Sequence, residues 1–133
     1  MEMMSERETG LAPWVAPVRP LPLFAYGTLQ NEEFVQQLLE HSVELQPVTL
    51  RDFRRLEFPD FDYPFVVPYE GGRVPGQMLL PLKVQDYERL DAYEGVGEEL
   101  YQRVEATVER ASGETVEVYV YTATDKTLDR YGG

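Results

Sequence analysis

The sequence predicts an α+β domain: a small mixed, largely antiparallel sheet curled toward a barrel, with two main helices. Three observations point there. Short apolar runs divided by Gly, Pro and Asp recur between residues 43 and 82, and two alternating runs joined by a turn occupy residues 101 to 121. Apolar residues at helical spacing occur in two places only, near 31–41 and 83–94, with no strand–helix–strand rhythm. The 133 residues, 43% of them hydrophobic, leave room for one domain with one core.

Taken in order, residues 1–20 contain Pro13, Pro17 and Pro20 without any period, and read as an extended or disordered arm in which Trp14 and Val15 can serve as an anchor. The domain is expected over 21–125. Leu21 to Tyr26 is a buried strand that runs at once into the tight turn Gly27-Thr28. Asn31 is an N-cap for a helix ending near His41, with Phe34, Val35, Leu38 and Leu39 on its apolar side. His41 reads as a surface histidine favoured by the helix dipole. Strands follow over 43–57, broken near Pro47, then over 65–69 and 74–80. The breaks fall at 59–64 and at Gly71-Gly72. Pro68 and Pro75 are expected at strand ends or on edges.

Residues 83–94 read as a second helix stopped by Gly95, with Val84, Tyr87 and Leu90 toward the core. After a loop at 95–100, Val104, Ala106 and Val108 alternate on one side, Ala111 to Glu114 turn, and Val116, Val118 and Val120 return on the same side. The other face of this hairpin carries Tyr101, Arg103, Tyr119 and Tyr121. Residues 126–133 read as a polar C-terminal tail.

Composition excludes several functions. Without cysteine there is no disulfide, thiolate nucleophile or thiolate metal site, which fits a reducing, cytoplasmic setting. One histidine cannot build a histidine metal cluster, and Asp60 with Asp62 lacks the rest of a calcium loop, so no metal is expected. A net charge of −12 argues against nucleic acid and anionic membranes as partners. No apolar run approaches the roughly 20 residues of a spanning helix. Residues 83–105 hold three basic against seven acidic side chains, most of which simply solvate one face.

Glu94 is different. It lies four residues after Leu90 and seven after Tyr87, on the core-facing side and in the last turn, where burial and the helix dipole both favour the neutral acid. A carboxyl held in that way is a candidate proton shuttle; the competing reading is an acid that snorkels to solvent from a frayed helix end. The second notable segment is Phe24-Ala25-Tyr26-Gly27-Thr28-Leu29. A strand turning at glycine exposes backbone N–H groups and admits a ligand closely, which suits a carboxylate or a developing oxyanion, although a purely structural turn has the same sequence.

Three ordered motifs, Tyr26-Gly27-Thr28-Leu29, then Leu90-Asp91-Ala92-Tyr93-Glu94, then Tyr101-Gln102-Arg103, resemble the YGTL, LDxxE and Y-x-R segments of the gamma-glutamylcyclotransferase-like family. Tyr63-Pro64-Phe65 and Gly72 to Gln77 are similar to its middle strands, and the likeness spans residues 22 to about 122. It implies a small barrel-like α+β fold and cyclisation of a γ-glutamyl amine or amide to 5-oxoproline plus free amine, without metal or cofactor. By the same resemblance Glu94 is the general acid and base, the turn Tyr26, Gly27, Thr28 and Leu29 cradles the glutamyl group, and Tyr101, Arg103 and Tyr121 contribute further substrate contacts. Two alternatives share the fold: removal of a γ-glutamyl protecting group within one biosynthetic pathway, and a non-catalytic module that binds a small acid or a protein.

Overall fold

A computed structural model describes residues 18–57, 64–94 and 101–131. Five strands close into a barrel in the order β1-β3-β2-β4-β5. They are β1 (Leu23–Ala25), β2 (Glu44–Leu56), β3 (Phe65–Leu80), β4 (Tyr101–Glu109) and β5 (Thr115–Ala123). All neighbours are antiparallel except β1 and β5, which meet in parallel through Leu23 and Tyr119. The expected mixed, largely antiparallel barrel is therefore present. Helices α1 (Glu32–Leu39), α2 (Asp86–Tyr93) and α3 (Asp125–Tyr131) complete the order.

Alternation along the strands produces two apolar layers. Phe24, Leu50, Val66, Met78, Val108, Val118 and Val120 belong to one buried cluster, while Leu23, Ala25, Phe65, Leu79, Tyr119 and Tyr121 join the helical residues Val35, Leu39, Tyr87 and Leu90 in another. Odd and even positions of β1 and β5 thus serve opposite faces of the sheet. That explains why Leu21 to Tyr26 reads as an unbroken apolar run: each face of β1 is covered, and every residue of it is buried.

Helix α1 begins where the sequence places it. The Asn31 side chain accepts a hydrogen bond from the Phe34 N–H at 3.0 Å, and Val35 and Leu39 are buried. It stops at Glu40, whose left-handed φ of 65° reverses the chain two residues after Leu38.

Several expectations are corrected. The strand predicted to break near Pro47 runs unbroken from Glu44 to Leu56, with Pro47 in register opposite Gln77. Proline is accommodated there because β4 pairs with β2 only at Thr49 and Leu50, leaving the other side of Pro47 free of a ladder. Likewise Gly71-Gly72 is no turn between two strands but part of one 16-residue strand. The irregularity lies between Arg51 and Phe53, where the pairing passes from Arg73 to Pro68 and several β3 residues face Asp52 alone. Gly71 adopts a φ of +83° there and its N–H donates to Asp52 Oδ1 at 3.0 Å. Pro68 and Pro75 consequently lie inside β3; Pro75 lies beyond Gln77, the last residue that pairs with β1.

In the second helix Tyr87 and Leu90 are buried as expected, but Val84 precedes the helix and is exposed. Asp86, counted with the solvated acids, is buried: its Oδ2 accepts from the Lys83 N–H at 2.7 Å and contacts His41 Nε2 at 2.8 Å. His41 is thus a bonded link between the end of α1 and the start of α2. Beyond β5 the polar end forms α3, started by Thr124, whose Oγ1 accepts from the Thr127 N–H at 3.2 Å. Thr127 is buried and Leu128 packs against the helical layer, a contact that the polar composition of the segment hides. The anchor at Trp14 and Val15, the break at 59–63 and the loop at 95–100 with Gly95 lie outside the described residues.

Candidate active site

A cavity of about 190 Å³ opens where β1 leaves the barrel, between the end of α2 and the start of β4. Phe24, Ala25, Tyr26, Gly27, Leu29, Pro64, Tyr93, Glu94, Tyr101 and Tyr121 line it. The two segments singled out from sequence, around Gly27 and around Glu94, therefore meet at one cavity although 67 residues separate them. Each arrives by a different route. Strand β1 is three residues long and is followed by a single 3-10 turn over Thr28–Gln30, closed by the Gln30 N–H donating to the Gly27 carbonyl at 3.0 Å. Arg55 Nη1, from β2, donates to the Tyr26 carbonyl at 3.3 Å and fixes the turn from the other side. Glu94 caps the C-terminus of α2, with its backbone N–H on the Leu90 carbonyl at 2.9 Å.

The lining is aromatic, and three of its hydroxyl groups are committed to the protein. Tyr26 donates to the Tyr121 carbonyl at 2.6 Å, Tyr101 to the Pro64 carbonyl at 3.1 Å, and Tyr121 to Asp91 Oδ1 at 2.6 Å. Burial pushes the Tyr26 hydroxyl well above the usual tyrosine range, and it does the same to Tyr121, whose hydrogen bond to Asp91 adds to the shift. These phenols stay neutral at any physiological pH. Glu94 is the lining residue that titrates near neutrality: burial raises its carboxyl from 4.5 to about 7. Among the described residues no hydrogen-bond donor or cation pairs with that carboxyl to offset the loss of water.

Of the residues expected from sequence, Glu94, Tyr26, Gly27, Leu29, Tyr101 and Tyr121 line the cavity. Arg103 does not. It donates to both carboxylate oxygens of Asp91, and its guanidinium lies 5.1 Å from the Tyr87 ring centre and 5.0 Å from that of Tyr119. Thr28 begins the 3-10 turn beside Gly27. Phe24 and Ala25 fall in the segment singled out from sequence but were given no contact role there, and Pro64 and Tyr93 were missed. Phe24 and Ala25 read as plain strand core, whereas Tyr93 adjoins Glu94 and carries the one available signal, an aromatic residue at a helix end. Its ring lies 5.2 Å from that of Phe34 on α1.

Comparison with known proteins agrees with the architecture. The family model described as "Gamma-glutamyl cyclotransferase, AIG2-like" matches residues 23–132. "AIG2-like protein A" of Arabidopsis thaliana is 33% identical over 88 residues, covering 66% of this chain and 52% of that protein. "AIG2-like protein C" of the same plant is 33% identical over 115 residues, covering 83% of this chain and 63% of that protein. The chain thus spans between half and two thirds of the length of these curated relatives. A solution structure of an Arabidopsis thaliana protein superposes with a TM-score of 0.69 at 32% identity, covering 80% of this chain and 70% of that one. A structure named "Gamma-glutamyl cyclotransferase" shares the fold, with a TM-score of 0.67 at 20% identity over 78% of this chain and 66% of that one.

Proposed function

Because the chain belongs to the gamma-glutamyl cyclotransferase, AIG2-like family, we propose that it cyclises a γ-glutamyl amine or amide to 5-oxoproline and releases the amine, with Glu94 carrying the proton. The observation that supports this reading best is the half-buried carboxyl of Glu94, poised at about 7, on a cavity shared with the turn after β1.

The chemistry asks little of the protein. The α-amine of the glutamyl group attacks the γ-carbonyl carbon of the same residue, forming the ring C–N bond. Collapse of the tetrahedral intermediate breaks the bond to the leaving amine. Nucleophile and electrophile are tethered, and good orientation of such a pair is worth on the order of 7–11 kcal/mol. The remaining task is proton transfer, twice. Ionised Glu94 takes one proton from the α-ammonium and gives it to the departing nitrogen as the C–N bond breaks. The second proton, left on the ring nitrogen, passes through the same carboxylate to the released amine, which leaves as an ammonium, so the carboxylate is regenerated. A carboxyl near 7 can take a proton from the α-ammonium and give one to a departing amine, and proton transfer of this kind contributes roughly 10²–10⁴-fold. Backbone N–H groups of the 26–29 turn hold either the α-carboxylate or the oxyanion of the intermediate, and the close approach they require is why glycine stands at 27. The aromatic walls exclude water around both.

The test is release of 5-oxoproline from a panel of γ-glutamyl amines and amides, with Glu94→Gln alongside. Turnover is expected for the parent chain and a loss of at least 10²-fold for the variant. Equal turnover in both would remove Glu94 from the mechanism. Binding of γ-glutamyl compounds without turnover by either would replace the enzyme with a binding module on the same fold.

A further inference from the structure

The sequence pairs Asp91 with the motif that carries Glu94, and Arg103 with the strand expected to touch substrate. The structure joins them to one another instead. Arg103 Nη1 donates to both oxygens of Asp91, and the Tyr121 hydroxyl donates to Asp91 Oδ1 at 2.6 Å. Arg103 and Tyr121 are direct cross-strand partners on β4 and β5, so the hairpin presents them to Asp91 as a unit. The side chains are only 16% and 29% exposed for Arg103 and Asp91, and the guanidinium rests over two tyrosine rings. Asp91 lies three residues before Glu94, one turn earlier on the same side of α2. From Tyr121 the connections continue, since its carbonyl accepts from the Tyr26 hydroxyl at the start of the glycine turn. One line of bonds therefore fixes both sides of the cavity to the same hairpin.

We propose that Asp91 and Arg103 are a positioning pair: they clamp the end of α2 onto the β4–β5 hairpin so that Glu94 faces the cavity, and their opposite charges cancel near it. Either charge alone would act on Glu94 through a poorly solvated environment. The titratable groups that share the cavity with Glu94 are Tyr26 from the end of β1, Tyr93 from α2, Tyr101 from β4 and Tyr121 from β5. All are phenols, and burial holds those of Tyr26 and Tyr121 in the neutral form. A guanidinium suits the role because it is never deprotonated and grips a carboxylate with fixed geometry.

The inference uses the cyclotransferase reading only for its activity measurement, so the test has a second readout. The Glu94 carboxyl is titrated by ¹³C NMR in the parent chain, Asp91→Asn, Arg103→Gln and the double variant. kcat and KM for release of 5-oxoproline are followed against pH in the same proteins. Asp91→Asn leaves a bare cation and is expected to move the Glu94 midpoint down by about one pH unit; Arg103→Gln leaves a bare anion and moves it up by about as much. The double variant returns the midpoint to that of the parent, while kcat stays lowered by about 10–100-fold with a smaller change in KM, because the clamp is still missing. Arg103→Lys retains the charge but loses the planar guanidinium that rests over the Tyr87 and Tyr119 rings, so it keeps the midpoint and loses kcat. Midpoints that stay put, or move the same way in both single variants, overturn the inference, as does full kcat in the double variant. Opposed midpoints in a chain that turns over no γ-glutamyl compound support the charge pairing and sink only the proposed reaction.

Discussion

At the scale of single residues, Glu94 couples stability to activity in opposite senses. Its carboxyl titrates near 7 in the folded chain against 4.5 for a free one. Below pH 4.5 the group is protonated whether or not the chain is folded, and it makes no difference. Between 4.5 and about 7 the unfolded chain gives up the proton first, so stability is lost as pH rises, and the loss is complete above about 7. Glu94→Gln removes the effect. That variant is expected to be more stable than its parent by on the order of 2 kcal/mol at pH 8 and no different near pH 4, as measured by denaturant titration at the two pH values. The proposed reaction needs the ionised form, so kcat/KM of the parent should climb through pH 7 over the interval in which stability falls. Gly27 makes a second residue-scale case. Among the described residues a Cβ built there meets only Pro64, at 3.8 Å, so they leave room for alanine in the space beside the cavity. Gly27→Ala should therefore unfold within about 0.5 kcal/mol of the parent while raising KM severalfold. Glu94 was legible because a lone acid broke an apolar period. Asp91 and Asp86 were not, because what removes them from solvent is contact with Arg103, Tyr121 and His41, none of which is a helical neighbour.

Among the elements, what sequence could and could not foresee follows from the range of the interactions involved. The caps of α1 and the hairpin of β4 and β5 are local devices, and Asn31 and the alternating valines announce them. The long β2–β3 pairing is not local: prolines and glycines that signal breaks are carried within continuous strands because neighbouring strands are short and leave them unladdered. Helix α3 was hidden for a related reason, since its hold on the domain comes from Thr127 and Leu128 rather than from an apolar stripe. Gly76 shows how closely β3 depends on β1. A Cβ at that position would lie 2.5 Å from Phe24 Cζ and 2.6 Å from the Ala25 carbonyl oxygen, and the latter is β1 backbone that cannot shift without disturbing its pairing with β3. Gly76→Ala is expected to cost about 2–3 kcal/mol in thermal or denaturant unfolding. Because Phe24 and Ala25 also border the cavity, turnover should fall even at temperatures where the variant is fully folded.

For the molecule as a whole, a net charge of −12 on 133 residues means that folding concentrates like charge. Screening relieves it, so the melting temperature should rise by a few degrees between about 10 and 200 mM salt at pH 8, in a calorimetric or circular-dichroism melt. A chain held together mainly by surface ion pairs would melt lower instead. Closure of the barrel has a further consequence. Strands β1 and β5 meet at a single register position, supported by the Tyr119 N–H on the Pro22 carbonyl at 2.9 Å and by the Tyr26 hydroxyl on the Tyr121 carbonyl. That seam is the narrowest join in the wall, and it runs along the rim where chemistry is expected. Slight unzipping there, far short of global melting, would let the staves part and flood the chamber, so warming should silence the protein before it loses its shape.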